Sequence, residues 1–184
     1  MHEPLLIVEA ELTPDIIHQM LRLKCLVWPE KYNEGTYDQH WDEFSSKRDY
    51  CPGRAFVLIY DGEVLIAQAE QFPRSIKSGE SVIEILALAG VAVHPNHRRK
   101  GLGSRVLKPV FARVDSGDYA FCLFQTPVPD FYAQLGCVEV EDTFYNGHLT
   151  SGREASIWWE PQVMIYPSNR PWLSGPVDLN GPAY

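Results

Sequence analysis

Hydrophobic positions in the first part of the chain recur every three to four residues, which is the period of an amphipathic helix. They are Ile16, Ile17, Met20, Leu21 and Leu26. Thr13 can cap this helix, and Pro14 suits its first turn. The pattern therefore predicts a helix that runs to about Val27. Before it, the apolar run over residues 5–10 predicts a strand.

The spacing changes to that of strands after a second, shorter helix. Thr36 and Gln39 have the spacing of a capping box, which predicts a helix over residues 37–44. Two β-rich runs then flank Asp61-Gly62, a pair that favours a tight hairpin. The predicted strands are Ala55–Tyr60, Glu63–Phe72, Val82–Val93, Tyr119–Phe124, Val138–Phe144 and Ser156–Ile165. The polar residues 74–81 are predicted to form a loop.

Two more helices are predicted in the second half of the chain. An apolar stripe follows Gly103 and ends at Ser116-Gly117, with Pro109 inside it, which predicts a kink near Arg105. A short helix is predicted over residues 130–135. The whole pattern is typical of one mixed α/β (α+β) domain over residues 1–184, with a mixed central sheet of about seven strands and about four helices. Residues 166–184 are predicted to form a tail, and Ala89-Gly90 is predicted to form a bulge or a splay in the strand pairing.

Composition narrows the class of protein. The chain has 184 residues, 45% of them hydrophobic, and a formal net charge of −8. This content excludes a disordered chain, and the acidic balance favours cationic small-molecule partners over nucleic acid. No apolar run is long enough to span a bilayer, and the first residues lack the features of a signal peptide, so we expect a soluble, cytoplasmic protein without membrane partners. The sequence does not decide between a monomer and a homodimer.

Cysteine and histidine positions give no sign of a metal or disulfide framework. The four cysteines are far apart and include no CxxC pair, and the six histidines add no zinc-ligand spacing. We therefore predict no metal site.

The most informative segment joins the strand that ends at Val93 to the helix that follows Gly103. Between them lie three basic residues and two glycines, in the order Arg98-Arg99-Lys100-Gly101-Leu102-Gly103. Glycines let the main chain wrap closely around a ligand, and the amides at a helix start attract an anion such as a diphosphate. The spacing fits neither a Walker A loop nor a Rossmann fingerprint. A solvated basic turn without a ligand is the plainer alternative.

This segment resembles the Arg/Gln-x-x-Gly-x-Gly/Ala motif of the GNAT superfamily of N-acetyltransferases. A second segment, from Phe131-Tyr132 to Gly136-Cys137, is similar to another GNAT signature, with Cys137 in place of the usual aromatic residue. The resemblance implies a GNAT fold that binds acetyl-CoA. It also implies these cofactor-binding residues: Val91, Ala92, Val93, Arg98, Arg99, Lys100, Gly101, Leu102, Gly103 and Ser104.

The tail carries a further resemblance. Trp172, Gly175, Val177 and the Asn180-Gly181-Pro182 end are similar to the C-terminal segment of aminoglycoside 2'-N-acetyltransferases and nodulation-type N-acyltransferases. This implies an amino-sugar acceptor, such as a kasugamycin-like aminoglycoside, and hence a role in antibiotic resistance. Trp172 and Asp178 are then predicted to bind substrate, as are Trp28, Tyr32 and Trp41 near the first two helices, because aromatic rings stack on sugars and attract cations. Core packing is the alternative for these aromatics.

Acyl transfer to an amine needs an acid for the departing thiolate and a route for the amine proton. The resemblance implies that Tyr132 is the acid. The relatives' base, a glutamate, is replaced here by Ala89 or Ala87. Glu84 is our candidate base; Glu70, a tail carboxylate or a water chain are alternatives. Two alternatives to an amino-sugar acetyltransferase remain. The acceptor could be a protein amine, a polyamine or another metabolite, or the chain could be a non-catalytic sensor of acyl-CoA.

Overall fold

The structure is a computed structural model that describes residues 3–33, 37–46, 51–149 and 157–184. Thr36 of the predicted capping box and Ser156, where a strand was predicted to begin, lie outside the described residues. The chain divides into two units. The first comprises Met1–Phe72 with Gly90–Val110, and the second comprises Pro73–Ala89 with Phe111–Tyr184. A single domain over the whole chain stays a prediction.

The described residues contain four α-helices and nine strands. The helices are α1 (Pro14–Val27), α2 (Tyr37–Ser46), α3 (Leu102–Asp115) and α4 (Pro129–Ala133). The strands are β1 (Leu5–Val8), β2 (Ala55–Asp61), β3 (Val64–Ser78), β4 (Ser81–Val93), β5 (Phe121–Thr126), β6 (Val138–Glu139), β7 (Phe144–Tyr145), β8 (Gln162–Tyr166) and β9 (Val177–Asp178). Their order is β1-β2-β3-β4-β5-β8-β6, and β9 pairs with β3 and β7. Parallel and antiparallel pairs both occur, so the sheet is mixed, as predicted.

In the first unit, β1, β2 and β3 form antiparallel pairs. Ile7 faces Phe56 across the first pair, and α1 begins as predicted, since the hydroxyl of Thr13 accepts the amide of Ile16 at 3.4 Å. The buried face of α1 packs with β1 and β2 in one apolar cluster. Burial of that helix stripe, at roughly 2 kcal/mol for each large apolar side chain, holds the helix on the sheet.

In the second unit, β5 pairs in parallel with β4 and antiparallel with β8. The tail belongs to this unit: β9 pairs with β7 in parallel and with β3 through Lys77 and Asp178. Val177 and Leu179 are fully buried. The tail is therefore part of the fold of this unit, and its deletion would remove core residues.

Several element bounds differ from the predictions. The loop predicted over residues 74–81 is wrong, because β3 continues to Ser78, where tail residues supply its partners. The strand predicted over 138–144 is two short strands, β6 and β7, and the strand predicted to end at Ile165 begins only at Gln162. Because β6 and β7 are separate and β9 is added, the number of strands among the described residues is nine rather than the predicted seven. Local sequence could not show them, because each depends on a distant partner.

Two local predictions concern irregular backbone. The parallel ladder between β4 and β5 covers Ile85 to Ala87 of β4, although that strand continues to Val93. Gly90 has φ of 56°, in the left-handed region. Irregular backbone at this glycine is therefore confirmed, and whether it is a bulge or a splay stays a prediction. Helix α3 continues through Pro109, and the kink predicted near Arg105 stays a prediction.

No helix in the described part of the chain is long and apolar enough to cross a membrane.

Candidate active site

The turn before α3 presents main-chain amides at the start of a helix. The first hydrogen bond of α3 runs from the amide of Arg105 to the carbonyl of Gly101, at 3.1 Å. The amides of residues 102–104 lie within the first turn, where a helix offers them no acceptor. Residues 98–101 are exposed, and Gly101 has φ of 74°, which glycine adopts without steric cost. This arrangement can bind an anion.

Two basic side chains donate hydrogen bonds to main-chain carbonyls just before this turn. Nε of Arg98 donates to the carbonyl of Val93 at 3.4 Å, and Nζ of Lys100 donates to the carbonyl of Asn96 at 3.3 Å. Arg99 has φ of 59°, a left-handed conformation that costs a residue with a Cβ about 1 to 2 kcal/mol. Such strain recurs where a turn is shaped for a ligand. The basic residues thus supply both positive charge and a defined shape.

The end of β4 leads into this turn. Of the three residues Val91–Val93, only Ala92 is buried. The strand is held to β3 by the amide of His94, which donates to the carbonyl of Ile66 at 2.8 Å. The segment predicted to align the pantetheine arm is therefore partly accessible, and it lies next to the left-handed residue Gly90.

A buried charged cluster, here named the Glu70 cluster, lies beside Gly90. It consists of Glu9, Lys24, Arg54 and Glu70. Oε1 of Glu70 is 3.4 Å from Nη1 of Arg54, and Oε2 is 3.9 Å from Nζ of Lys24. Arg54 also donates to the carboxylate of Glu9. The exposed fractions of Glu70 and Arg54 are 2% and 1%, so these charges are held out of water by pairing.

One of the aromatic residues predicted for the acceptor pocket, Tyr32, lies close to the same lysine. Nζ of Lys24 lies 5.6 Å from the centre of the Tyr32 ring, and that ring lies 4.3 Å from His40 and 6.1 Å from Trp28. Tyr32 is buried, whereas Trp28 and Trp41 are partly buried against the apolar core. Part of their surface therefore serves packing, and their role in substrate binding stays a prediction.

Tyr132 lies on α4 of the second unit and is 6% exposed. Its ring packs 4.5 Å from Phe124 and 4.9 Å from Phe131, measured between centres. Burial raises the pKa of its hydroxyl well above the ordinary value of 10, and the neighbouring thiols Cys122 and Cys137 raise it further. The phenol therefore keeps its proton at neutral pH, as a proton donor requires.

Glu84, the candidate base, lies on β4 within the second unit. Its side chain is exposed, and its main-chain carbonyl accepts the amide of Ala120 at 3.0 Å. Exposure suits a solvated carboxylate on a strand face. Its catalytic role stays a prediction.

The tail residues predicted to bind substrate have partners of their own in the second unit. Nε1 of Trp172 donates to Oδ2 of Asp142 at 2.6 Å. Oδ1 of Asp178 accepts the amides of Gly147 and Asn180, at 2.7 and 2.8 Å. Both side chains stabilise the path of the tail, and a further role in binding substrate stays a prediction.

A family comparison agrees with the geometry of the turn. The sequence profile of a family described as an acetyltransferase (GNAT) domain matches residues 10–140, which is more than half of the chain. The chain belongs to the GNAT acetyltransferase family. The matched span contains both segments that resemble GNAT motifs, and it contains the Glu70 cluster except for Glu9. A search of curated protein sequences found no match.

Solved structures share the GNAT fold at low sequence identity. The GNAT protein YhbS from Escherichia coli, solved in complex with CoA, is 14% identical with a TM-score of 0.61, and the alignment covers 97% of this chain and 91% of that one. An aminoglycoside 6'-N-acetyltransferase complexed with coenzyme A is 17% identical with a TM-score of 0.54, covering 88% and 93%. A GCN5-related N-acetyltransferase from Kribbella flavida is 19% identical with a TM-score of 0.57. Its alignment covers 75% of this chain but only 33% of the Kribbella protein, so this GNAT chain spans about a third of that relative's length.

Sequence reasoning missed the Glu70 cluster of this GNAT chain. Its four members lie on separate elements or loops of the chain. Glu9 and Glu70, which both contact Arg54, are 61 positions apart. The one available signal was two polar residues, Gln68 and Glu70, at alternate positions of a strand whose other residues are largely apolar. That signal marks polar side chains on one strand face, but not what they contact.

Proposed function

We propose that the chain is an acetyl-CoA-dependent N-acetyltransferase that acts on a primary amine of an amino sugar, such as an aminoglycoside antibiotic. One observation carries this proposal. The turn before α3 is exposed, and its helix-start amides lie next to three basic residues. A diphosphate matches such amides in both charge and shape.

The residues of the turn fit the cofactor that the family implies. The amides of residues 99–104 would hold the diphosphate, with the charges of Arg98, Arg99 and Lys100 around it. Gly103 has no side chain to intrude on the ligand, and the segment Val91–Val93, in which Val91 and Val93 are half-buried, would align the pantetheine arm. The bound thioester supplies an activated acetyl group. The residues of the chain must therefore orient the acceptor amine, stabilise the charge on the carbonyl oxygen and move the protons.

The reaction proposed is direct transfer. The nitrogen of the amine attacks the thioester carbonyl, a C–N bond forms, and the C–S bond breaks. A main-chain amide near Val91 stabilises the charge on the carbonyl oxygen. Tyr132 gives its proton to the departing thiolate.

Replacement of Tyr132 by Phe tests its part. Because phenylalanine fills the same space without the hydroxyl, we expect kcat to fall about 100-fold while affinity for CoA changes less than about twofold. Steady-state kinetics and calorimetry would measure the two quantities. Tyr119→Phe, a change to a half-exposed tyrosine of the same unit, is the matched control. An unchanged kcat in Tyr132→Phe would remove this residue as the acid.

Three observations support an amino-sugar acceptor. The net charge of −8 attracts a polycation. The rings of Trp28 and Trp41, near α1 and α2, are partly accessible, and the buried ring of Tyr32 lies beside Trp28. The tail segment resembles that of amino-sugar acyltransferases. One structural neighbour is an aminoglycoside 6'-N-acetyltransferase, which acts at another position of the sugar than the 2' position that the tail resemblance implies.

A sensor that binds acyl-CoA without turnover is the second candidate. It is favoured by alanines at positions 87 and 89, where the relatives suggested by the motifs carry a glutamate. The chemistry of transfer to a protein amine, a polyamine or another metabolite would be the same as for a sugar. These acetyltransferase functions differ from amino-sugar acetylation only in the acceptor.

A thiol-release assay with acetyl-CoA distinguishes these functions. The panel would contain aminoglycosides including kasugamycin, polyamines, a lysine-containing peptide and simple amino acids. Release with amino sugars alone is the expected result, and mass spectrometry would locate the acetyl group at the 2' or another amine. Release only with other amines would replace the acceptor. Tight CoA binding by calorimetry without release would favour the sensor.

A further inference from the structure

We propose that Glu70 is the carboxylate that binds the ammonium group of the acceptor and takes its proton, at the position that Lys24 marks with its own ammonium group. This inference rests on the proposed N-acetyl transfer. It assigns the proton acceptor to β3 of the first unit rather than to β4. Four observations within that unit carry it.

The first observation is the position of the carboxylate beside the irregular residue of β4. A Cβ placed on Gly90 would lie 3.7 Å from Oε2 of Glu70 and 3.7 Å from Nζ of Lys24. Both charged groups therefore lie within van der Waals distance of a side chain at position 90. Gly90 directly precedes Val91, whose main chain is the proposed donor to the thioester oxygen. The carboxylate thus lies beside the residue that directly precedes the proposed donor.

The second observation is that polar side chains occupy the buried face of β3 at this point. Gln68 and Glu70 face Leu58 and Phe56 of the neighbouring strand, and both are at most 2% exposed. Nε2 of Gln68 donates to the carbonyl of Gly90 at 3.5 Å, and its Oε1 has no hydrogen-bond partner among the described residues. Burial of such groups costs free energy that apolar residues would avoid. Their presence beside Gly90 is explained if they serve a ligand.

The third observation is that Glu70 already holds an ammonium group by the interactions that an acceptor would use. Nζ of Lys24 is 3.9 Å from the carboxylate and 5.6 Å from the centre of the Tyr32 ring. A carboxylate together with an aromatic face is a recognised setting for an amine cation. Lysine has a long, flexible side chain, so its ammonium group can move aside for another.

The fourth observation is the second cation. Nη1 of Arg54 is 3.4 Å from the other carboxylate oxygen, Oε1, and Arg54 is also paired with Glu9. Arg54 therefore fixes one oxygen of Glu70 while the other faces Lys24. A carboxylate fixed in this way is positioned for a single proton transfer without reorganisation.

The proton balance of the step is simple. The acceptor enters as R–NH₃⁺, and Glu70 takes one proton and later releases it to water. The resulting R–NH₂ forms the C–N bond as the C–S bond breaks, and it loses a second proton. That second proton balances the one that the thiolate of CoA gains. The net products are the acetylated amine, CoA and one proton.

The test compares Glu70→Gln with Glu63→Gln, which alters an exposed glutamate just before the same strand. At pH 7 we expect Glu70→Gln to lower kcat/KM for the acceptor about 100-fold or more, with KM for acetyl-CoA within about twofold. The defect should shrink to less than about tenfold at a pH where most of the acceptor amine is already neutral, because no proton then needs to be taken from it before attack. A structural role alone would give a defect that does not depend on pH. A rate equal to that of Glu63→Gln, or a loss that is constant with pH, would overturn the proposal.

A second variant protects the test against misfolding, since Glu70→Gln leaves two buried cations with less compensation. The double variant Lys24→Met with Glu70→Gln removes one charge of each sign. Normal CoA affinity with the same pH-dependent loss of turnover supports the proposal, and wild-type turnover overturns it.

The same measurements separate this inference from the proposed function. If the wild-type chain turns over no amine, the proposed function fails. If it turns over amines and Glu84→Gln gives the pH-dependent loss while Glu70→Gln does not, the proposed function stands and Glu84 replaces Glu70 as the proton acceptor.

Discussion

The turn before α3 and the Glu70 cluster belong to the same unit, but they hold charge in opposite ways. In the turn, Arg98, Arg99 and Lys100 are exposed, and the binding groups are main-chain amides. In the cluster, the charges lie on side chains withdrawn from water, and each is balanced by a charge of opposite sign. The turn can therefore change residues at little cost to stability, whereas the cluster cannot.

This difference separates two kinds of function. An exposed set of amides is ready for a ligand that brings its own negative charge, because the cost of desolvation is small. Burial of a carboxylate costs desolvation free energy, and this cost is explained if the function needs the carboxylate at an accurate position. We therefore expect substitutions in the turn to change affinity, and substitutions in the cluster to change stability and turnover.

The largest effect is expected from Gly103→Val in the first turn of α3. A branched side chain there would occupy the space assigned to the diphosphate, so affinity for CoA should fall at least about 100-fold. Calorimetry measures the affinity, and thermal unfolding shows whether the fold is kept. Gly79→Ala, at a turn glycine with φ of 58°, is the control that costs about 1 kcal/mol of stability without changing affinity. Normal affinity in Gly103→Val would show that the diphosphate lies elsewhere.

Arg54→Met should have the next largest effect, on stability. Arg54 pairs with two carboxylates and donates to the carbonyl of Phe44 at 2.8 Å, so its loss leaves buried acceptors uncompensated. We expect the free energy of unfolding to fall by about 3 to 5 kcal/mol in urea. Arg99→Met in the exposed turn should change it by less than about 0.5 kcal/mol. Equal effects of the two changes would break the distinction between turn and cluster.

Joint replacement of Arg98, Arg99 and Lys100 by alanine should have a moderate effect on affinity. Since these charges are exposed, we expect CoA binding to weaken about tenfold at low salt, and the difference to shrink in about 1 M salt, where the screening length is about 3 Å. Lys108→Ala, an exposed lysine farther along α3, is the control. A loss that is the same at both salt concentrations would mean that the residues act through the shape of the turn.

The smallest effect is expected from His94→Asn, just before the turn. Burial lowers the pKa of His94, and the neighbouring His97 lowers it further. The unfolded chain therefore binds a proton more readily, and stability is lost as the pH falls from about 7 to 5. Because the group is largely solvated, asparagine should flatten this fall by less than about 0.5 kcal/mol. Urea unfolding at both pH values measures it, and an unchanged or steeper fall contradicts the assignment.

Local signals predicted those features that depend on a few consecutive residues. The Thr13 cap, the hairpin at Asp61-Gly62 and the irregularity at Gly90 follow from the chemistry of one or two residues. The pairing of Lys77 with the tail was missed, because its partner Asp178 lies about a hundred positions later.

The sequence by itself determined the four helices, the mixed sheet and the basic glycine turn that resembles a GNAT motif. Each of these rests on backbone preference, periodicity or main-chain amides, which are properties of neighbouring residues. Only the tertiary structure decided that Glu70 and Lys24 meet beside Gly90, that Arg54 joins them to Glu9, and that the tail completes the second unit. Side chains that are far apart along the chain carry no local signal of their contact, because burial and pairing exist only after the strands and helices have packed.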